Sequence, residues 1–232
     1  MKTIGIIGGM GPETTVAYYR TMVRLCHERL GPDCFPLILI NSIDVAKMLG
    51  MVNAGRNPEA TDYFVEAFAQ LARAGADLGL MAANTPHVLF DAIAARCPMP
   101  LISIVDATLD AASVQRVTRL GLLGTRATMQ GGFYQRAATS RGMTIKLPND
   151  ADQHLVHERY MAELVRGDFR DRTRSDVLAV IERLGVEQGV EAVILGGTEL
   201  PLLLGERSSQ AVVPLLDTGT LHAERAINVA LG

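Results

Sequence analysis

Four short segments of the 232-residue chain gather small, hydroxyl and amide residues at places where a strand would hand over to a helix. They are Gly8-Gly9-Met10-Gly11-Pro12-Glu13, Asn84-Thr85-Pro86-His87, Gly124-Thr125-Arg126-Ala127-Thr128 and Gly197-Thr198-Glu199-Leu200-Pro201. Free N–H groups and hydroxyls at a helix start suit a small anion, and a carboxylate is the obvious one. Thr85 is placed to cap, Pro12 and Pro86 to open a first turn, and Glu13 to complement a helix dipole. One such junction is what any capped helix looks like; four, arranged in pairs, argue for a site. The groups in or beside them that could move a proton are His87, Glu199, Thr85 and Thr198. Each titratable one has a structural alternative: Glu199 as a first-turn carboxylate, His87 as a hydrogen-bonding residue on its own first turn.

Several other chemistries are absent or weak. The glycines at residues 8–11 do not form the Gly-x-Gly-x-x-Gly fingerprint, and no Walker A sequence occurs, so they argue for close approach to something smaller than a nucleotide. Twenty-two basic against 25 acidic residues give a net charge of -3, with no excess to neutralise nucleic-acid phosphates. Apolar runs such as Leu37 to Ile40 fall far short of the roughly 20 residues of a membrane helix, and the apolar stretch after Lys2 breaks too early for a signal peptide. A soluble, cytoplasmic protein is expected. Cys26, Cys34 and Cys97 form no CxxC pair, disulfide framework or zinc site. Asp152, His154 and His157 have helical spacing for a metal but read as a solvated helix face, so no metal is expected. Arg166 to Arg174 reads as an exposed helix end and turn. Asn53 to Glu59 reads as a mobile loop whose Arg56 could meet a second carboxylate.

The elements that must position these groups are short, Gly-bounded apolar runs: Thr3 to Ile7, Pro36 to Asn41, Leu78 to Ala82, Leu101 to Val105, Gly121 to Leu123, Thr144 to Leu147, Ala192 to Leu195 and Val212 to Leu216. Unalternating apolar runs suit strands buried on both faces, and the longer amphipathic stretches between them suit crossover helices, so an α/β fold with parallel sheets follows. An ordered internal repeat refines it. Residues 4–8 (IGIIG) are echoed at 120–124 (LGLLG), residues 74–85 (AGADLGLMAANT) at 188–199 (QGVEAVILGGTE), and Pro100 to Asp106 by Pro214 to Asp217. The reading is two pseudo-symmetric, three-layer αβα lobes, residues 1–113 plus 211–232 and residues 114–210, with an active-site cleft where the strand ends face each other.

With these motifs the chain resembles the aspartate/glutamate racemase family of cofactor-independent amino-acid racemases. The resemblance rests on residues 4–19 (IGIIGGMGPETTVAYY), 82–87 (AANTPH), 122–128 (LLGTRAT), Tyr160-x-x-Glu163-Leu164-x-x-Gly167-x-Phe169, residues 196–203 (GGTELPLL), and Asp217-Thr218 with His222-Ala223-Glu224. It implies a homodimer without pyridoxal or other cofactor, in which two cysteines on opposite sides of the cleft exchange the α-proton of an amino acid. Junction hydroxyls and N–H groups would steady the negative charge. The implied ligand contacts are Met10, Gly11, Arg56, Asn84, Thr85, Thr125, Thr128, Thr198 and Glu199. The expected cysteine positions, however, carry Ala83 and Gly197, and the three cysteines present lie away from strand ends. Two-thiol racemisation is therefore excluded. What remains is proton transfer by other groups, with water filling the space at 83 and 197; a divergent lyase, decarboxylase or cis-trans isomerase acting on a related acid; or a non-catalytic paralogue that binds a small amino acid or dicarboxylate.

Overall fold

The computed structural model describes residues 1–52 and 54–232 in full. It forms two compact units, Met1–Ile104 with His222–Gly232, and Val105–Leu221.

The first unit holds a parallel sheet of β1 (Ile4–Gly8), β2 (Ile38–Ser42), β3 (Leu78–Met81) and β4 (Leu101–Ile102), in the order β2-β1-β3-β4. Its helices are α1 (Pro12–Leu30), α2 (Val45–Asn53), α3 (Asn57–Arg73) and α4 (Phe90–Ala94), and α5 (Ile104–Val114) begins at its last residue. Ile4, Ile6, Leu78 and Leu80 face Tyr18, Met22 and Leu25 of α1, together with Ala223, Ala226 and Ile227 near the C-terminus. Ile7 and Met81 face Met48, Phe64, Phe68 and Leu71 of α2 and α3. Alternate strand residues thus serve two cores, which is why the runs carry no polar alternation.

The second unit repeats the sheet: β5 (Arg119–Leu123), β6 (Thr144–Lys146), β7 (Ala192–Leu195) and β8 (Leu215–Asp217), all parallel, in the order β6-β5-β7-β8. It holds α6 (Arg126–Gln130), α7 (Phe133–Thr139), α8 (Asp150–Ala162), α9 (Asp171–Gln188) and α10 (Leu200–Leu204), and α11 (Thr218–Leu231) starts within it. Leu123, Val193 and Leu195 pack on Val156 and Tyr160 of α8 and on Val177, Ile181 and Leu184 of α9.

The repeat is visible atom by atom. The N–H of Asp77 donates to Thr3, whose own N–H donates to the Asp77 carboxylate at 2.7 Å. Glu191 does the same for the start of β5, donating to Arg119 and accepting from the N–H groups of Thr118 and Arg119 at 2.7 and 2.9 Å. Pro100 and Pro214 each present a carbonyl to the central strand, accepting from Gly79 and Val193, both at 2.9 Å.

Four expectations need correcting. The run at Val212 to Leu216 ends in β8, which joins the second sheet, so residues 211–221 do not belong with the first lobe; the exchanges fall inside α5 and α11. An apolar run carries no signal of which sheet it will join. The aspartate of the third echo does not repeat: pairing makes Ser103 the counterpart of Asp217, whereas Ile104 to Val114 form α5 and place Asp106 in its first turn. The loop read at Asn53 to Glu59 is shorter, because α2 runs to Asn53 and α3 starts at Asn57 with Pro58 in its first turn. Finally, the solvated face read at Asp152, His154 and His157 holds only in part: His154 is exposed and His157 half-buried, but Asp152 is not on that face. Asp152, Gln153, Val156 and Tyr160 are buried, and Asp152 pairs with Arg183 at 2.5 and 2.8 Å. Among the described residues no group of three or more His, Cys, Asp and Glu could hold a metal, and no helix is long and apolar enough to cross a membrane.

Candidate active site at the strand ends

In the first unit, β1 and β3 are hydrogen-bonded neighbours, so the segments that follow them lie side by side. The N–H of Ala82 donates to Ile7 at 2.9 Å. After β1 the chain turns through Gly9 and Gly11, at φ 81° and 148°, into Pro12. The close approach at Gly9 is made by the protein itself: a Cβ there would stand 2.6 Å from Ser42 Oγ and 2.7 Å from the Ile43 carbonyl. The reading of these glycines as room for a ligand is corrected at that position. Met10 is half-buried against the α2–α3 core.

After β3 come Ala83 and Asn84, both buried, then a 3₁₀ turn over Thr85–Leu89. The cap position belongs to Asn84, one residue before the Thr85 expected there. His87 closes the turn on itself. Its Nε2 accepts from the Ile104 N–H at 3.1 Å, so Nδ1 carries the proton and donates to the Ala83 carbonyl at 2.9 Å. His222 mirrors this arrangement. Its Nε2 donates to the Ile102 carbonyl at 2.9 Å, and Nδ1 accepts from the Tyr18 hydroxyl at 2.9 Å. The two imidazoles are 6.0 Å apart and His87 stacks on Phe90. Burial drives both well below the ordinary imidazole range, His87 to about 3, with His222 beside it adding to the effect, and His222 to about 4. Both rings are therefore neutral struts that fix residues 83 and 102–104. With each nitrogen engaged, His87 has no valence left for a ligand proton. Arg56, before α3, is exposed and pairs with Glu59 at 2.9 Å.

In the second unit the segments after β5 and β7 also lie together, since a Cβ on Gly124 would stand 2.7 Å from the Gly196 carbonyl and one on Gly196 would stand 3.0 Å from Thr128 Cγ2. Thr125 caps α6: its Oγ1 accepts from the Thr128 N–H at 3.2 Å and lies 3.1 Å from the buried Thr128 hydroxyl. Thr198 and Glu199 are buried at the start of α10. The Glu199 carboxylate does not cap that helix. Its Oε2 accepts from the Thr198 hydroxyl at 3.2 Å and from the Tyr160 hydroxyl.

Tyr160 comes from α8 and was not foreseen as a site residue. Its ring stands beside Gly197, where a Cβ would lie 2.9 Å from both its Cζ and its Oη and closer still to Cε2. Water filling the place of a side chain at 197 is thus corrected: an aromatic ring fills it. Val156 and Tyr160, one turn apart on the buried face of α8, carried the available signal, but helical spacing does not say which strand end a face meets. His157, one turn before Tyr160, accepts from the Arg126 N–H at 3.2 Å.

With this geometry in view, the comparisons with known proteins agree. The chain matches the Asp/Glu/Hydantoin racemase family model over residues 7–226. It is 22% identical over 238 residues, 98% of each chain, to the broad specificity amino-acid racemase RacX of Bacillus subtilis. Among solved structures it superposes on a candidate Asp/Glu racemase from Yersinia pestis with a TM-score of 0.90 at 35% identity, and on an aspartate racemase homologue from Pyrococcus horikoshii with a TM-score of 0.86 at 31% identity, each over 100% of both chains. The two matched sheets, their paired hydroxyl junctions and these likenesses together establish that the chain belongs to the Asp/Glu/hydantoin racemase family.

Proposed function

We propose that the protein binds a small amino acid or dicarboxylate at its strand-end junctions, on the scaffold of a proton-transferring isomerase, without two-thiol racemisation. The observation that carries this reading is the matched pair of hydroxyl-and-amide junctions at the ends of two sheets of identical strand order. In this reading Asn84, Thr85 and the backbone of Met10 and Gly11 serve one end of the ligand. Thr125, Thr128, Thr198 and Glu199 serve the other, and Arg56 meets a second carboxylate. A homodimer, a cytoplasmic location and cofactor independence belong to the same proposal.

A second reading, one-sided chemistry of the lyase, decarboxylase or cis-trans isomerase kind, is favoured by one observation. A titratable carboxylate meets hydroxyl donors at the end of β7, whereas the matching end of β3 carries Ala83 and a fully engaged His87.

A thermal-shift panel of L- and D-aspartate, L- and D-glutamate and small dicarboxylates tests binding. A ligand at 100 times its Kd stabilises by about 2.7 kcal/mol, which is several degrees in Tm for a chain of this size. If no member of the panel shifts the melt, the reading fails. Incubation of the same amino acids in D2O, followed by NMR and chiral chromatography, tests the chemistry: interconversion of enantiomers by the unaltered protein would overturn the exclusion of two-sided transfer.

A further inference from the structure

The end of β7 carries a constellation that the missing thiols do not explain. Two hydroxyl donors, Tyr160 and Thr198, converge on one oxygen of the buried Glu199 carboxylate. The phenol reaches it only because residue 197 has no side chain: any Cβ there collides with the Tyr160 ring. The ring is held from behind by the α8–α9 core, with Val156, Leu164 and Val177. Burial, with Glu199 next to it, raises the phenol well above its ordinary range, so it remains a protonated donor and not a base.

We propose that Glu199, Tyr160 and Thr198 form an enolising site for a small 2-oxo acid, with the Glu199 carboxylate as the base at the carbon beside the ketone and the Tyr160 hydroxyl as donor to the ketone oxygen. This rests on the reading that the strand ends bind a small carboxylate, and it names the class of substrate. The α-C–H of an amino acid is too weakly acidic for a carboxylate base unaided by a cofactor. A C–H beside a ketone is far more acidic, because its electron pair ends on oxygen, and a neutral phenol aimed at that oxygen is the donor such a transition state needs. A carboxylate base with a tyrosine donor is a known pairing for this chemistry on other folds.

The step balances within the site. The C3–H bond breaks and its proton goes to a Glu199 oxygen. The C–H pair becomes the C2=C3 bond, and the carbonyl π pair moves onto oxygen, where Tyr160 donates to it. Return of a proton from the Glu199 carboxyl to C3 reverses each change, with no oxidant, reductant or co-reactant. Tyr160 also couples the two halves of the reaction. As its hydrogen turns from Glu199 to the ketone oxygen, the carboxylate loses a stabilising bond and becomes more basic as the substrate becomes more acidic.

The test is deuterium exchange at C3 of 2-oxoglutarate and 2-oxobutyrate in D2O, followed by NMR, alongside α-exchange of L- and D-glutamate, with binding of each read by thermal shift. The expected result is C3 exchange well above the buffer rate, abolished in Glu199→Gln and lowered about 100-fold in Tyr160→Phe, the usual loss when one oxyanion donor is removed. Gly197→Ala, which displaces the ring, should fall with Tyr160→Phe. In each variant exchange should fall far more than binding of 2-oxoglutarate does. Exchange that survives in Glu199→Gln overturns the proposal, as does exchange of glutamate without exchange of the oxo acids. Binding of oxo acids with no exchange overturns it too and leaves the binding reading standing. Absence of binding by every compound overturns the binding reading itself.

Discussion

The two units share a scaffold and differ at its working end. Each has the same four-strand order, an acid that clamps the start of its first strand, and a proline carbonyl that fixes its last. Each also buries a tyrosine that follows the first strand and bonds to a helix begun at the boundary between units: Tyr18 to His222 of α11, and Tyr134 to Thr108 of α5. At the ends of β3 and β7 the likeness stops. One end carries a methyl group braced by neutral histidines; the other carries a carboxylate between two hydroxyls. The features that repeat are those that place a site, and those that differ are those that could do chemistry in it.

Acid should break the comparison most strongly. His87 and His222 stay neutral in the folded protein down to about 3 and 4, whereas in the unfolded chain they take up protons near 6.5. Their contribution to stability is complete above pH 6.5 and is lost as pH falls toward about 4 for His222 and about 3 for His87, because over that window the unfolded state binds more protons. At pH 5 the loss is about 2 kcal/mol for each histidine. Hydrogen exchange read by mass spectrometry at pH 7 and pH 5 should show β1, β3 and the end of α11 losing protection before β5 and β7. Equal loss in both units would remove the histidines as the cause.

Next comes the same kind of substitution at matched positions. Gly197→Ala drives a Cβ into the Tyr160 ring and should cost about 2–3 kcal/mol, as overpacking of a buried site does. Ala83→Cys, where a Cβ already stands, should cost less in the same urea titration. In a Tyr160→Ala background, however, Gly197→Ala should add little further cost, since the collision is then gone. Installing thiols at both positions consequently requires a shortened residue 160.

Tyr18→Phe and Tyr134→Phe probe the mirrored tyrosines. Each should cost about 1–2 kcal/mol, the price of an unmatched buried partner. Tyr18→Phe should cost more, because it strands an imidazole nitrogen at His222, whereas the Thr108 hydroxyl can rotate toward another acceptor. Equal Tm losses would mean the hydroxyl at 18 contributes only as the one at 134 does.

How much of this was legible in the sequence follows from how local each signal is. Six of the apolar runs overlap their strands closely, and in β1, β3, β5 and β7 this is because burial on both faces leaves an uninterrupted apolar stretch; the run from Val212 shares only Leu215 and Leu216 with β8. The run from Leu101 kept only Leu101–Ile102 as strand, since Ile104 and Val105 are equally at home in the helix that starts there. Thr125, Thr128, Asn84 and Thr198 announced themselves as hydroxyls and an amide at strand-to-helix junctions. Tyr160 and His222 did not: they reach Glu199 and Tyr18 across 39 and 204 residues, and nothing near them in the chain marks those partners. Gly197 read as an empty place when it is the space the Tyr160 ring requires.

The smallest effect should lie at the clamps, and it sharpens the comparison of scaffolds. Asp77 takes one backbone N–H at the start of β1, while Glu191 takes two at the start of β5 and pairs with Arg119 at 3.2 Å. Those N–H groups hold the Glu191 carboxyl below its ordinary range. Asp77→Ala should lower Tm by about 1–3 °C, the loss of a single charged hydrogen bond at an exposed site. Glu191→Ala should lower it further, and Glu191→Gln should recover part of the difference, because an amide oxygen still accepts one N–H but no longer attracts Arg119. At high salt the gap between Glu191→Gln and the unaltered protein should narrow, since screening weakens the ion pair and leaves the backbone bonds in place. If Asp77→Ala proves the costlier of the two alanine variants, the start of β1 depends on its single clamp more than β5 depends on three contacts, and the two scaffolds are less equivalent than their hydrogen bonds make them.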